Sequence, residues 1–305
     1  MVVVVPFLNE AWCLPTFLAS MAKQHRLPDR LVLVDDGSTD ESPGIAAEFA
    51  TKNRYAVLLR RPARPPAADR LAGAPEYRAF LWAVEQVPGD WDVVAKMDAD
   101  LDLSPRALET VAEALARDSG LGMVGLRLTE VAPDGRRVPL SSPPDHVEGA
   151  TKFYRRACWE DIAPVAPILG WDTLDELDAR RHGWRTQTFV APDGDPLHLR
   201  RMGTHGNILR SFRRWGACSY GYGAHPVHVA YYALKLMGTR RPRVIGGLNY
   251  LAGWAVAGVQ RAPRAEPALR RAVRDEQLAK ARRRLPFPPR RPVTPAADRG
   301  DHAVR

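Results

Sequence analysis

Asp98 and Asp100 stand two residues apart directly after an apolar run, Val93-Val94-Ala95-Lys96-Met97, and Asp102 follows two residues later. Carboxylates that alternate at the end of a buried strand can turn toward one ligand. Hard divalent cations such as Mg2+ and Mn2+ take oxygen ligands and leave their remaining positions to water or phosphate oxygens, so a diphosphate suits such a site. An acidic pair on a strand end is common by itself, and its company decides. Upstream, Val34-Asp35-Asp36-Gly37-Ser38-Thr39-Asp40 sets a second acidic pair after a second apolar run, then a glycine that permits a tight turn and hydroxyls ahead of a helix. Such a turn can hydrogen-bond a base and ribose. Pro6-Phe7-Leu8-Asn9-Glu10 supplies a third polar turn after the first apolar run, Val2 to Val5.

In this order and spacing the three segments resemble glycosyltransferase family 2, whose members open with V-P-x-x-N-E, continue with V-D-D-G-S-T-D and then carry a D-x-D. The resemblance implies the GT-A fold, a Rossmann-like doubly wound mixed sheet, and an inverting, metal-dependent transfer from a nucleoside-diphosphate sugar. It further implies that Asp35 and Asp36 lie at the nucleoside with Pro6 and Glu10, that Asp98 faces the ribose or the metal, and that Asp100 holds Mn2+ or Mg2+. One departure stands out: where related sequences often have N-x-G in the helix before the D-x-D, this chain reads Phe80-Leu81-Trp82-Ala83.

Glu148-Gly149-Ala150-Thr151 through Arg155-Arg156 is similar to the family's G-A-x-x-x-x-R-R turn entering a helix, which implies acceptor contacts from Gly149, Ala150 and Thr151. Gly170 to Trp184 resembles the region that supplies the catalytic base. The reaction needs one carboxylate near the acceptor hydroxyl, opposite the leaving diphosphate, to take the proton during an in-line displacement. Counted back from Gly183, Asp172 matches the family's base. Asp175 and Glu176 remain alternatives, since both could instead favour the N-terminal dipole of the following helix, and Asp178 reads as a solvated charge. His198, in Leu197-His198-Leu199-Arg200-Arg201, resembles a later H-x-R-x-x-G element and is a candidate third metal ligand. Arg200 and Arg201 can fork onto diphosphate oxygens, and His205 is a weaker competitor.

The elements that must position these residues alternate. Strands are expected at Val2–Val5 (stopped by Pro6), Leu31–Val34, Tyr55–Leu59, Val93–Met97 and Met123–Leu128, with helices over Ala11–His25, from Asp40 to Phe49, over 76–87 and from Pro105 to about Arg117. The Pro- and Arg-rich stretch 60–74 and the segment Pro133–Asp145 read as loops. Such alternation places ligands at the carboxyl ends of parallel strands, where both acidic clusters fall. The first strand is not followed by G-x-G-x-x-G, so a dinucleotide site is not expected.

Composition agrees with a folded enzyme: 45% hydrophobic and 26% charged residues indicate neither a disordered chain nor a polytopic membrane protein. Cys13, Cys158 and Cys218 are far apart and odd in number, as ordinary thiols of a reducing compartment are. The first residues lack a basic region and meet Pro6 too early for a signal peptide, so a cytoplasmic location is expected. Residues 261–305 carry 13 Lys and Arg against 5 Asp and Glu, leaving the first 260 residues near neutral. That basic tail suits an anionic membrane surface; nucleic acid is not an expected partner. Val227–Met237 and Val244–Gln260 are apolar, but the latter, at 17 residues, is shorter than the roughly 20 a spanning helix needs. The expected organisation is a catalytic domain over 1–225, divided into a donor half (1–103) and an acceptor half (104–225), then apolar helices over 226–260 and the tail. The acceptor would be a saccharide or lipid-linked molecule of cell-surface polysaccharide or glycolipid synthesis. Two alternatives stay open: a sugar-phosphate nucleotidyltransferase, against which stands the lack of glycine in Pro6–Glu10, and a non-catalytic membrane-associated scaffold.

Overall fold

The computed structural model describes residues 1–62, 73–132, 134–140, 142–162, 165–200, 208–239 and 242–284. Its first half alternates as expected: β1 (Val2–Phe7), α1 (Leu14–Ala22), β2 (Arg30–Asp35), α2 (Ser42–Lys52), β3 (Ala56–Arg60), α3 (Pro75–Gln86) and β4 (Val93–Met97). Then come β5 (Leu101–Asp102), α4 (Ala107–Arg117), β6 (Leu121–Leu126), β7 (Thr129–Val131), β8 (Arg137–Pro139), β9 (Thr151–Arg155), α5 (Arg156–Ile162), α6 (Trp171–Arg181), β10 (Arg185–Phe189) and β11 (Leu197–His198). Four helices close the described chain: α7 (Ile208–Gly221), α8 (Pro226–Thr239), α9 (Arg243–Val259) and α10 (Pro267–Arg284).

Seven strands form one mixed sheet in the order β10-β6-β9-β4-β1-β2-β3. β1 runs parallel to both β2 and β4, while β9 lies antiparallel between β4 and β6. The continuous apolar runs of β1 and β2 follow from burial on both faces, against α1, α2 and α4 on one side and α3 and α5 on the other. A second sheet, β5-β11-β7-β8, folds over the carboxyl end of β4.

Several boundaries differ from expectation. β1 does not stop at Pro6; it runs to Phe7, with Pro6 opposite Val34, because Pro6 lies beyond Val4, the last residue paired with β4, so its missing amide interrupts no pairing there. The expected helix over Ala11–His25 is shorter, since Cys13 and Leu14 turn back onto the Glu10 carbonyl before Pro15 enters the first turn. Asp40 does cap α2 through its side chain, which accepts from the amide of Ser42, the first helical residue, at 3.0 Å and from the Ala11 amide at 3.1 Å, tying the turns after β1 and β2 together. Thr151–Arg155 is not the approach to a helix but a buried central strand, and the helix starts only at Arg156. The expected loop Pro133–Asp145 contains β8, hairpinned to β7.

Within the basic tail, whose composition predicts part helix and part disorder, Pro267–Arg284 is a helix docked on α6: Leu269 and Val273 pack with Leu174 and Leu177, and Arg180 pairs with Glu276 at 3.2 Å. Residues 285–305 lie outside the described residues. α9 crosses α7 closely enough that a Cβ on Gly216 would stand 1.9 Å from the Tyr250 carbonyl oxygen. Among the described residues no helix is long and apolar enough to cross a membrane.

Candidate active site

The end of β4 delivers Asp98, half-buried, and the Asp98 amide donates to the Ala150 carbonyl at 3.0 Å. Three residues later the chain enters β5, which pairs antiparallel with β11 so that His198 lies opposite Leu101. The Leu199 amide donates to the Asp100 carbonyl at 2.8 Å, locking this register. The pairing sets His198 Nε2 at 3.2 Å from Asp100 Oδ1, and one ligand atom from each of Asp98, Asp100 and His198 lies within 4.8 Å of the others. Burial alone would raise the Asp100 carboxyl, but the His198 hydrogen bond and the charges of His198 and Arg200 hold it below its ordinary value. Burial disfavours the imidazolium of His198, and the bond to Asp100 outweighs it. Two carboxylates and an imidazole suit Mn2+ or Mg2+ as a donor set, with His198 Nε2 as the ring nitrogen that faces Asp100. Asp102 lies outside this cluster, on β5 opposite Leu197.

Behind and beside the cluster stand two cations. Lys96, 2% exposed in the middle of β4, forms an ion pair with Asp98 and donates to the Gly149 carbonyl at 3.0 Å. Arg200 holds Glu10 with two nitrogens, one at 3.0 Å, reaches within 3.7 Å of Asp100 Oδ2 and lies 5.1 Å over the Trp12 ring. Arg200, Glu10, Pro6 and Asp36 all line one cleft of about 920 Å³ together with Asp98 and Asp100. Asp36 is paired with Arg61 at 2.9 Å. Asp35 is buried below the turn, where its carboxylate accepts from the Ser38 amide at 2.8 Å. The turn is further bound by Asn9, whose side chain accepts from the Thr39 amide at 2.8 Å while its own φ is 56°. Arg201 and His205 lie outside the described residues.

Across the same cleft, the first two turns of α6 carry the three base candidates, Asp172 in the first and Asp175 and Glu176 in the second, and the structure separates them. Asp172 is half-buried, lines the cleft and makes no side-chain hydrogen bond or ion pair among the described residues. Asp175 points inward: 1% exposed, it accepts from Lys152 at 2.7 Å and from the Tyr154 hydroxyl at 2.6 Å. Burial drives its carboxyl up to about 7, against the opposing pull of Lys152. Glu176 lines the cleft, but it accepts from the Val147 amide at 2.8 Å and pairs with His146 at 3.1 Å. Asp178, expected to be solvated, is 8% exposed and pairs with Arg181 at 2.8 Å. Gly149 and Ala150 line the cleft. Thr151 does not; its hydroxyl sits on the Leu126 backbone in the sheet.

Sequence reasoning passed over several cleft residues. Lys96 had one available signal, a lone lysine within an apolar strand, which burial tolerates only with partners. The helix carrying Phe80-Leu81-Trp82-Ala83 buries Phe80 and Ala83 in the core, yet its first turn brings Glu76 to the cleft. Burial raises the Glu76 carboxyl, and the Trp171 indole donates to it at 3.2 Å. Trp171 in turn stacks on Tyr77 with ring centroids 4.1 Å apart, and Lys96 and Lys152 both lie over its ring, at 5.6 and 5.3 Å.

Residues 2–165 match the family model described as glycosyl transferase family 2. The undecaprenyl-phosphate 4-deoxy-4-formamido-L-arabinose transferase of Pectobacterium carotovorum subsp. carotovorum is 32% identical over 264 residues, 84% of this chain and 73% of that protein. The transferase of the same name from Photorhabdus laumondii is 31% identical over 131 residues, which cover 41% of this chain and 36% of that relative's length. Among solved structures, a mannosyltransferase from Pyrobaculum calidifontis in complex with GDP-Man and Mn2+ superposes with a TM-score of 0.53 at 18% identity, covering 92% of this chain and 79% of that one. S. aureus TarS 1-349 with UDP-GlcNAc gives 0.56 at 18%, covering 91% and 84%. At such identities the likeness speaks for the fold alone. With the family model spanning more than half its length and a relative aligned along most of it, the chain belongs to glycosyl transferase family 2 and is a glycosyltransferase of the GT-A fold.

Proposed function

We propose that the cleft transfers a sugar, with inversion, from a nucleoside-diphosphate donor to an acceptor hydroxyl, and that the transfer depends on Mn2+ or Mg2+. The observation that carries this reading is that the Asp98–Asp100–His198 cluster lines one cleft with Asp172, whose carboxylate has no side-chain partner among the described residues. Pro6, Asp36 and the turn resting on Asp35 receive the nucleoside. Asp98, Asp100 and His198 would hold the cation, whose chemistry is to stabilise charge on the departing diphosphate. Arg200 adds a fork that matches phosphate oxygens. Asp172 accepts the acceptor's proton as the new C–O bond forms on the anomeric carbon, on the face opposite the breaking bond to diphosphate. Glu76, whose carboxyl burial raises, lines the same cleft within reach of a bound sugar's hydroxyls. The test is release of nucleoside diphosphate from a panel of nucleotide sugars, with Mn2+ and with excess chelator. Turnover of one donor that chelation abolishes supports the reading, and full turnover in chelator contradicts it.

A second reading of the acceptor has its own support, since the relatives are named for transfer to undecaprenyl phosphate. A phosphate monoester is already largely ionised at neutral pH, with a second pKa of about 6. Such an acceptor attacks without a base, and a carboxylate beside it would repel it. A lipid phosphate would also bring the enzyme to an anionic membrane surface, the setting of glycolipid and cell-surface polysaccharide synthesis. Asp172→Asn separates the two acceptors.

A further inference from the structure

We propose that the α8–α9 hairpin is a membrane-docking surface, lying in the plane of an anionic phospholipid leaflet. The first support is charge. Residues 226–265, the hairpin and the few residues after it, contain 6 Lys and Arg and no Asp or Glu. Such a segment is complementary to anionic headgroups, and it precedes the basic tail to which composition alone points.

The second support is the outward face of the two helices. On α8, Val227, Tyr231 and Leu234 follow one another at i, i+4 and i+7 and are 63%, 49% and 67% exposed. On α9, Val244, Leu248 and Val259 line a second apolar stripe, and Val259 is 85% exposed. These stripes are not a misplaced core, because the inward faces are already filled: Ala233 and Leu236 pack with Tyr250, and Gly246, Gly247 and Gly253 press against α7 and α8. Exposed apolar rows on adjacent helices are costly in water and suit the boundary between headgroups and acyl chains. Since neither helix is long and apolar enough to span, the hairpin lies along the leaflet rather than through it. Tyr232, Leu236 and Tyr250 also line the cleft, so docking this surface would hold the cleft beside the lipid.

The experiment is co-sedimentation of the full chain with phosphatidylcholine vesicles containing or lacking phosphatidylglycerol, across a salt series. These vesicles contain no polyprenyl phosphate, so the outcome does not depend on which acceptor is correct. The native chain should bind the anionic vesicles and retain part of that binding at high salt, because apolar insertion is not screened. Leu234→Glu/Leu248→Glu/Val259→Glu should weaken binding by about tenfold or more at an unchanged melting temperature. Hydrogen exchange of the unmutated chain gives an answer that no folding defect can blur: vesicles should protect 226–259. The proposal is overturned if the native chain ignores anionic vesicles, if the triple variant binds as well, or if protection appears at 285–305 instead. It is also overturned if the chain dimerises without lipid and the triple variant breaks the dimer, since the stripes would then join two copies.

Discussion

Lys152, the second residue of β9 and fully buried, donates both to the Asp175 carboxylate at 2.7 Å and to the main-chain carbonyl of Asp172. One ammonium thereby fixes the first turn of α6 to the central sheet and sets where the Asp172 carboxylate stands. Burial opposes its charge, but Asp175, Glu176 and Asp172 around it keep the amine protonated. Lys152→Met leaves the buried Asp175 without its cation, while Glu176 keeps His146, and should cost about 3–5 kcal/mol of stability in urea unfolding. Lys152→Met/Asp175→Asn should recover part of that loss, since the uncompensated charge is then gone. Where the single variant stays folded, kcat should fall more than KM rises, because what is lost is the placement of a group that acts in the transition state.

The close crossing of α7 and α9 makes a sharper packing test. A Cβ on Gly216 would meet the Tyr250 carbonyl oxygen at 1.9 Å, and one on Gly253 would meet the Arg213 carbonyl oxygen at 2.0 Å. Backbone cannot yield as a flexible side chain can, so Gly216→Ala should destabilise by about 3 kcal/mol, the upper end of overpacking costs. Gly44, within α2, has nothing within 4 Å of its Cβ position. Gly44→Ala should therefore stabilise by about 0.5–1 kcal/mol. Thermal unfolding of both variants checks the pair.

His146 gives a pH dependence. Burial disfavours its charge, yet its hydrogen bonds and ion pairs with Glu148 and Glu176 push the imidazole up to about 10. Glu148 moves the opposite way: burial would raise it, and His146 holds it below its ordinary value. A raised imidazole contributes fully below its ordinary value of 6.5, and a depressed carboxyl contributes fully above its ordinary 4.5. The difference in unfolding free energy between the native chain and His146→Gln should thus be greatest between those values and shrink as pH rises toward about 10. Urea unfolding at pH 5.5, 7.5 and 9.5 measures it, and a difference that grows with pH would count against the ion pairs.

Asp172→Asn should keep donor affinity. With a hydroxyl acceptor it should lose turnover by about 10²–10⁴-fold, the usual worth of a general base. Near-normal transfer to a polyprenyl phosphate by the same variant would instead favour the ionised acceptor. Asp175→Asn should act mainly on stability, given its burial and its two hydrogen-bond donors.

How far the sequence could be read follows from where each residue's partners lie. β1, β2 and β4 are legible because burial on both faces leaves uninterrupted apolar runs, and the acids that end them mark the sheet edge. β9 is not legible, because Lys152 interrupts it and the acids that satisfy it come from α6, some twenty residues later. β5 and β11 are two residues each, too short for any periodicity, although their pairing is what brings His198 to Asp100. The docking of α10 hides in a helix crowded with Arg, where only Leu269 and Val273 betray the buried face. Counting back from Gly183 prefers Asp172 but leaves Asp175 and Glu176 open; what each carboxylate is bonded to depends on partners from β9 and the 146–147 segment, which the sequence does not place.

The central claim is that Asp98, Asp100 and His198 hold a divalent cation that the nucleotide donor requires. Isothermal titration of UDP and GDP into the full chain, in Mn2+ and in excess chelator, tests it most directly, with Asp100→Asn measured alongside. One of the two nucleotides should bind in Mn2+ and weaken by about tenfold or more both in chelator and in Asp100→Asn, as the loss of a metal–phosphate contact requires. Equal affinity with and without the metal, in a chain that still binds nucleotide, would contradict it.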